Sequence, residues 1–306
     1  MSTSSKNPIE RCEASQACGA IDRIIHPRDK DLGGFSVRRA LPTIQARMVG
    51  PWIFFDHMGP ADFAAGDGID VRPHPHIGIA TVTYLVEGEI LHRDSLGSEA
   101  VIRPGDINLM VAGRGIVHSE RERAATRGQP HRLHALQLWL ALPQDDEETE
   151  PAFHHYPTAD IPALKVDSVA VRVMMGQAYG VHSPVRTFAD TLYVEAELKA
   201  GQQLTLPAAR ERAVYVAQGR LQAQDSVIEQ YEMAILQAGF SDEIVVQASQ
   251  DTRLAIIGGE PVGPRYIEWN FVSSRKARIE QAKADWTQGR FPKVAGDEDD
   301  FIPLPR

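Results

Sequence analysis

His74 and His76 stand one residue apart in "RPHPHIGIATVTYL", at the entry to a run that reads as a β-strand. Further on, in "GRGIVHSE", His118 and Glu120 repeat that spacing. Residues i and i+2 of a strand project from the same face, so each pair presents two side chains together. Pro75, between the first two histidines, suits a strand entry or edge and stiffens the backbone there. If the two segments are neighbours, three imidazoles and one carboxylate converge on one point. Such donors suit Fe, Mn, Ni, Cu or Zn, and an incompletely filled coordination sphere leaves room for substrate or dioxygen. A single strand histidine is more often a solvent-facing or satisfied core residue. Two same-face pairs in one stretch favour a metal site.

Other candidates carry less. "GRGIVH" begins like a phosphate loop, but no long helix follows it. His92, near the turn in "LHRDS", reads as a hydrogen-bonding loop residue rather than a ligand. His134, on the strand-like "LHALQLWLAL", is expected to face inward, and His154 and His155 to point opposite ways. No serine elbow or Cys–His nucleophile pattern is present.

The elements that position these residues are short β-branched runs broken by Gly, Pro and Asp, from Gly34 to Leu142 and again from Ala163 to Gly258. The two blocks are related. Tyr84, Gly88 and Asp94 recur as Tyr215, Gly219 and Asp225, and Gly113 is answered by Gly239. The same offsets place Thr205 and Pro207 where His74 and His76 stand, and Ile244 and Val246 where His118 and Glu120 stand. None of these makes a ligand set, so metal is expected in the first block alone. The acidic run in "PQDDEETEPAFHHYP" reads as a linker. Only "SSRKARIEQAKADWTQGRF" reads as helix, with Ala277, Ile279 and Ala284 on its apolar face and Gly289 as its stop. The expected division is a flexible lead over 1–18, a metal-binding barrel over 19–145, a linker over 146–160, a metal-free barrel over 161–270, and a helix with tail over 271–306.

A formal charge of -9 argues against an electrostatic grip on nucleic acid or an anionic membrane. Cys12 and Cys18 are the only cysteines, so no disulfide framework supports the fold. No apolar stretch approaches the ~20 residues of a membrane span, and the N-terminal residues lack the regions of a secretory signal. The expectation is a soluble, cytoplasmic protein.

The run from "HPHIGIATVTYLVEGEILHRDSLGSEAVIRPGD" to "INLMVAGRGIVHSE" closely resembles the pirin family, bicupin members of the cupin superfamily. The matched signature is HxHxG, TVTY, HxDSxG, PGD and MxAGxGxxHxE. "GPWIFFDHMGP" before it and "GGEP…WNFVSS" near the end extend the likeness over nearly the whole chain. Ile77 and Leu109 depart from the best-known eukaryotic pirins, where Arg and Trp are usual.

The resemblance implies an all-β protein of two cupin-type β-barrels, double-stranded β-helices facing each other, with a C-terminal helix. It implies one divalent metal ion per chain, iron (Fe2+) for preference, with Mn, Ni, Cu, Zn or Co also suited, held by His74, His76, His118 and Glu120. Some pirins are similar in activity to quercetin 2,3-dioxygenases, which open the flavonol ring with O2 and release carbon monoxide. Glu120 would then be the catalytic base that takes the flavonol 3-hydroxyl proton. Phe54, Phe55, Met58, Phe63 and Met110 are candidates for an apolar wall under the flat substrate. The alternative implied is a non-catalytic, redox-sensing regulator that binds a transcription or metabolic partner protein.

Overall fold

The computed structural model describes residues 19–31, 35–223, 226–237 and 243–305. The expected lead over 1–18 and the repeat positions Asp225 and Gly239 lie outside the described residues.

The described chain forms two β-barrels with the same strand order. In each, a seven-stranded and a four-stranded antiparallel sheet face one another. The large sheet of the first barrel runs, in spatial order, Ala152–Tyr156, Ile107–Val111, Ile79–Glu87, His131–Ala141, Trp52–Phe63, Ser36–Leu41 and Arg28–Asp31. That of the second runs Ile21–Ile25, Met233–Leu236, Glu211–Gln218, Thr252–Gly259, Thr191–Leu198, Val169–Met175 and Ala163–Val166. Tyr84 and Tyr215 thus fall on corresponding strands, as the repeat requires.

The two large sheets pack back to back, which explains a departure from simple alternation. In "IATVTYL" every residue is buried. Thr81 and Thr83 turn to the interior of the first barrel, whereas Ala80, Val82 and Tyr84 enter a core shared with Tyr193, Ala213, Tyr215 and Ile257 of the second. Each large side chain in this seam contributes roughly 1.5–3 kcal/mol by leaving water. Trp52 is fully buried there, and its indole Nε1 donates to the carbonyls of Leu192 and Gly258, 3.1 Å from each. Gly50, at φ 55°, is needed at the same seam, because a Cβ would stand 2.8 Å from Gly259 N.

Two parts of the chain differ from the sequence expectation. Ile21–Ile25 pairs with Met233–Leu236, so it completes the second barrel rather than opening the first. The stretch 146–160 is not a spacer. Ala152–Tyr156 adds an edge strand beside Ile107–Val111. Glu147 is buried, pairs with Arg265 at 2.6 Å, and accepts from the Ser273 and Ser274 hydroxyls at 3.0 Å. An acidic run looks solvated in sequence, but here its carboxylates meet cations and hydroxyls from residues more than a hundred positions away.

The segment after Phe271 docks on the first barrel. Its helix, Lys276–Thr287, buries Ile279 and Ala282 against Ile77 and Phe271. Ala277, expected on the apolar face, is exposed. The tail then returns along the barrel: Arg121 pairs with Asp297 and Asp300, and Ile302 N donates to Pro73 O at 2.9 Å. No helix among the described residues is long and apolar enough to cross a membrane.

Candidate metal centre

Strands Val71–His76 and Ile116–Arg121 lie antiparallel in the small sheet of the first barrel, with His118 directly opposite His74. His76 lies two residues along the same face. The three rings gather with centroids 4.4, 5.0 and 5.1 Å apart, and one nitrogen from each lies within 4.8 Å of the others. Gly78, at φ 69°, carries the chain away from this strand where a Cβ would meet Val272 O at 2.0 Å, which accounts for the glycine that follows the histidines.

Each imidazole is tied at one nitrogen and leaves the other for an ion. His74 Nδ1 donates to Arg72 O at 2.8 Å, which leaves Nε2. His76 bonds to the Asn270 backbone, and its buried Nδ1 has no partner. His118 Nδ1 lies 3.4 Å from His92 Nδ1, and its buried Nε2 has no partner. An orphaned polar atom in a closed interior is costly unless something satisfies it, and a divalent ion would do so here. Burial lowers the pKa of His74 to about 4 and holds His76 and His118 well below the usual range. The three rings are therefore neutral, the form that ligates. The residues present fit a metal ion.

His92 is a partner of this centre rather than a loop residue. It sits on strand Ile90–Asp94, opposite Glu120, and its Nε2 donates to Asp94 Oδ2 at 3.1 Å. With Nε2 carrying the proton, Nδ1 can accept from His118 Nδ1–H. That fixes the His118 tautomer with a bare Nε2. Phe153 stacks on the His92 ring at 4.3 Å.

Glu120 lies outside the cluster of three. The register between the ligand strands slips after His118, so that Glu120 faces Val71, and such a bulge re-aims a side chain. Its carboxylate Oε1 lies 3.5 Å from Thr83 Oγ1, and Thr83 donates to Gln137 Oε1 at 3.0 Å. Burial pushes the Glu120 carboxyl up to about 7, opposed only by the Thr83 hydroxyl.

The apolar wall is partly as expected. Phe54 and Met110 belong to a cluster above the histidines, and Phe54 stacks on Trp139 at 3.9 Å. Trp139 in turn meets the His76 ring edge-on at 4.9 Å. Phe55 does not belong there. Strand alternation turns it into the seam between barrels, where it meets Tyr215 at 4.6 Å. Met58 points inward at the far end of the barrel, among Val37, Leu85 and Leu133. Phe63 stacks on His131 at 5.2 Å. His134, expected to face inward, instead turns to the seam side of its sheet, where it meets His57 on the neighbouring strand, Nε2 to Nε2 at 2.7 Å. Of the two departures, Ile77 packs under the C-terminal helix and Leu109 enters the shared core, so neither lines the cluster. A cleft of about 400 Å³ adjoins the wall, bordered by Met48, Ile53, Val262 and Ile267.

Two facing cupin-type barrels define a bicupin, and one of them carries a three-histidine cluster suited to a metal ion. The family models agree in detail. Residues 34–140 match the pirin model and residues 193–292 the pirin C-terminal cupin domain. The chain is 48% identical to a pirin-like protein from Caulobacter vibrioides, over 93% of this chain and 99% of that one. It is 37% identical to a putative quercetin 2,3-dioxygenase from Pseudomonas aeruginosa, over 94% and 93%. It superposes on the crystal structure of quercetin 2,3-dioxygenase from Acinetobacter baumannii with a TM-score of 0.86, at 33% identity, over 93% of this chain and 95% of that one. The chain belongs to the pirin family.

Proposed function

We propose that this pirin is a metal-dependent oxidoreductase of the quercetin 2,3-dioxygenase type, acting on a flavonol with O2. The observation that carries this reading is three neutral imidazoles, with unpartnered nitrogens turned together, below the aromatic wall of Phe54 and Trp139. The names of two relatives support it. A bound metal, iron for preference, would supply Lewis acidity towards a flavonol hydroxyl and a place for O2.

The chain's own residues do the rest. His74, His76 and His118 hold the ion, and Arg72 O, the Asn270 backbone and His92 fix the ring orientations. Glu120 takes the 3-hydroxyl proton. A carboxyl pushed up to about 7 exchanges a proton readily near neutral pH. The Thr83 hydroxyl, 3.5 Å from Glu120 Oε1 and 3.0 Å from Gln137 Oε1, holds the carboxylate in position. Phe54, Trp139 and Met110 present a flat apolar surface suited to a flavonol ring and keep water from the site.

The test is quercetin-dependent oxygen uptake, with carbon monoxide release, by protein loaded anaerobically with Fe2+. Uptake that matches quercetin consumed is expected. If protein loaded with Fe, Mn, Ni, Cu, Zn or Co consumes no oxygen with any flavonol, this reading fails and the regulatory alternative takes its place.

A further inference from the structure

A cleft of about 600 Å³ opens at the edge of the seam between the barrels, and none of the three histidines lines it. Its volume lies in the range of small-molecule sites, ~300–1,000 Å³. From the first barrel come Tyr84, Leu85, Val86, Pro104 and Gly105. From the second come Leu164, Arg172, Glu195, Glu197 and Arg253, which stand on four adjacent strands. Arg172 faces Glu195 across one strand pair and Arg253 faces Glu197 across the next.

The charges here are not closed among themselves. Glu195 is 4% exposed; its Oε1 accepts from Tyr193 at 2.7 Å, and its Oε2 has no partner. Arg172 donates from Nη2 to Thr158 O at 2.9 Å, while its Nε also lacks a partner. A Cβ on Gly105 would come within 2.8 Å of Arg172 Nη1, so the glycine keeps room for the guanidinium at the cleft. Arg253 pairs with Glu197 and bonds to Tyr84. With Lys165 at the rim, three cations meet two carboxylates, and one of these is buried without a bonded cation. That surplus of cations favours an anionic group, whether or not Glu195 carries its proton. Leu85, Val86, Pro104 and Leu164 offer the apolar surface for an organic body.

We propose that this seam binds a small organic carboxylate, its charged end held by Arg172 and Arg253 beside the Tyr84 hydroxyl and Glu195, its body on Leu85, Val86 and Leu164. Protonated Glu195 donates a further hydrogen bond to the ligand. Burial lifts the Glu195 carboxyl to about 7, with Tyr193 and Arg253 opposing and Glu197 adding to the shift. Affinity therefore falls as pH rises through that region.

The probe is benzoate, followed by calorimetry on the full chain, with benzyl alcohol as the uncharged control. Saturable 1:1 binding of benzoate and none of benzyl alcohol are expected, unchanged between metal-loaded and chelator-treated protein. Arg172→Met and Arg253→Met, each checked for an intact melting transition, lower the affinity tenfold or more, as loss of a charged hydrogen bond requires. Should either variant fail to fold, the pH arm stands alone: wild-type affinity declines between pH 6 and 8.5, and that of Glu195→Gln stays level. Equal binding of benzoate and benzyl alcohol, binding that follows the metal, no saturable binding, or a level wild-type profile overturns the proposal.

Discussion

His118 owes its ligand-ready form to a neighbour that spacing does not reveal. The histidine pairs are legible because a period of two is the whole signature of a shared strand face. His92 and Asp94 have the same spacing, yet "HRD" before a turn carries no sign that a third strand lies beside the ligand strands. Replacement of His92 by Ala should leave the three ligands in place and weaken metal affinity roughly 10–100-fold, the usual effect of losing a ligand's orienting partner. Competition with a chelator of known affinity reads this directly, and unchanged affinity would free His118 from any dependence on His92. Glu120 sits off the cluster, by Thr83. Glu120→Gln should accordingly keep its metal while flavonol-dependent oxygen uptake falls by ~10²–10⁴, the range for a lost acid–base group. Metal content measured beside uptake separates the two effects, and full activity removes Glu120 as the base.

At the scale of elements, the strands were readable and their partners were not. "IATVTYL" shows a buried strand, but nothing local tells which of its faces meets the barrel interior and which the second barrel. Phe55 and His134 therefore read as inward in the sequence yet face the seam, and Trp139 carries no local sign of its place beside His76. The edge strands Ile21–Ile25 and Ala152–Tyr156 each lie beside sheets that only the folded topology discloses. The C-terminal helix was legible, and its docking follows from its poverty: a helix of 12 residues is marginal alone. Its larger anchors are Ile279 and Trp286, and the latter donates from Nε1 to Ile302 O at 3.0 Å. Truncation after Phe271 should lower the melting temperature by roughly 5–10 °C, since loss of Ile279 burial and the Arg121 clamp costs several kcal/mol. An unchanged transition would mean that the tail contributes nothing to stability.

Across the whole molecule, two barrels of one topology carry unequal interiors. At the corresponding place in the second barrel Leu204, Leu206, Ile244 and Val246 pack in an apolar core, so its inward residues stand one position before Thr205 and Pro207, which the repeat offsets give. The seam between them imposes a pH dependence of its own. Glu195 has its pKa raised from 4.5 to about 7 in the folded chain. The unfolded chain therefore loses this proton first as pH rises, so the group's cost to stability begins above about 4.5 and levels off above about 7. Glu195→Gln should remove that slope and raise stability at pH 8 by on the order of 1–3 kcal/mol. Urea unfolding at pH 5 and pH 8 measures it, and a variant less stable than wild type at pH 8 would contradict the sign. The most direct measurement of the metal centre is ion content per chain for wild type and His76→Ala after anaerobic loading and removal of loosely bound metal. One tightly held ion in the wild type, lost in the variant while the fold persists, is the result predicted. Two ions in the wild type, or full retention in His76→Ala, would contradict a single centre built on His74, His76 and His118.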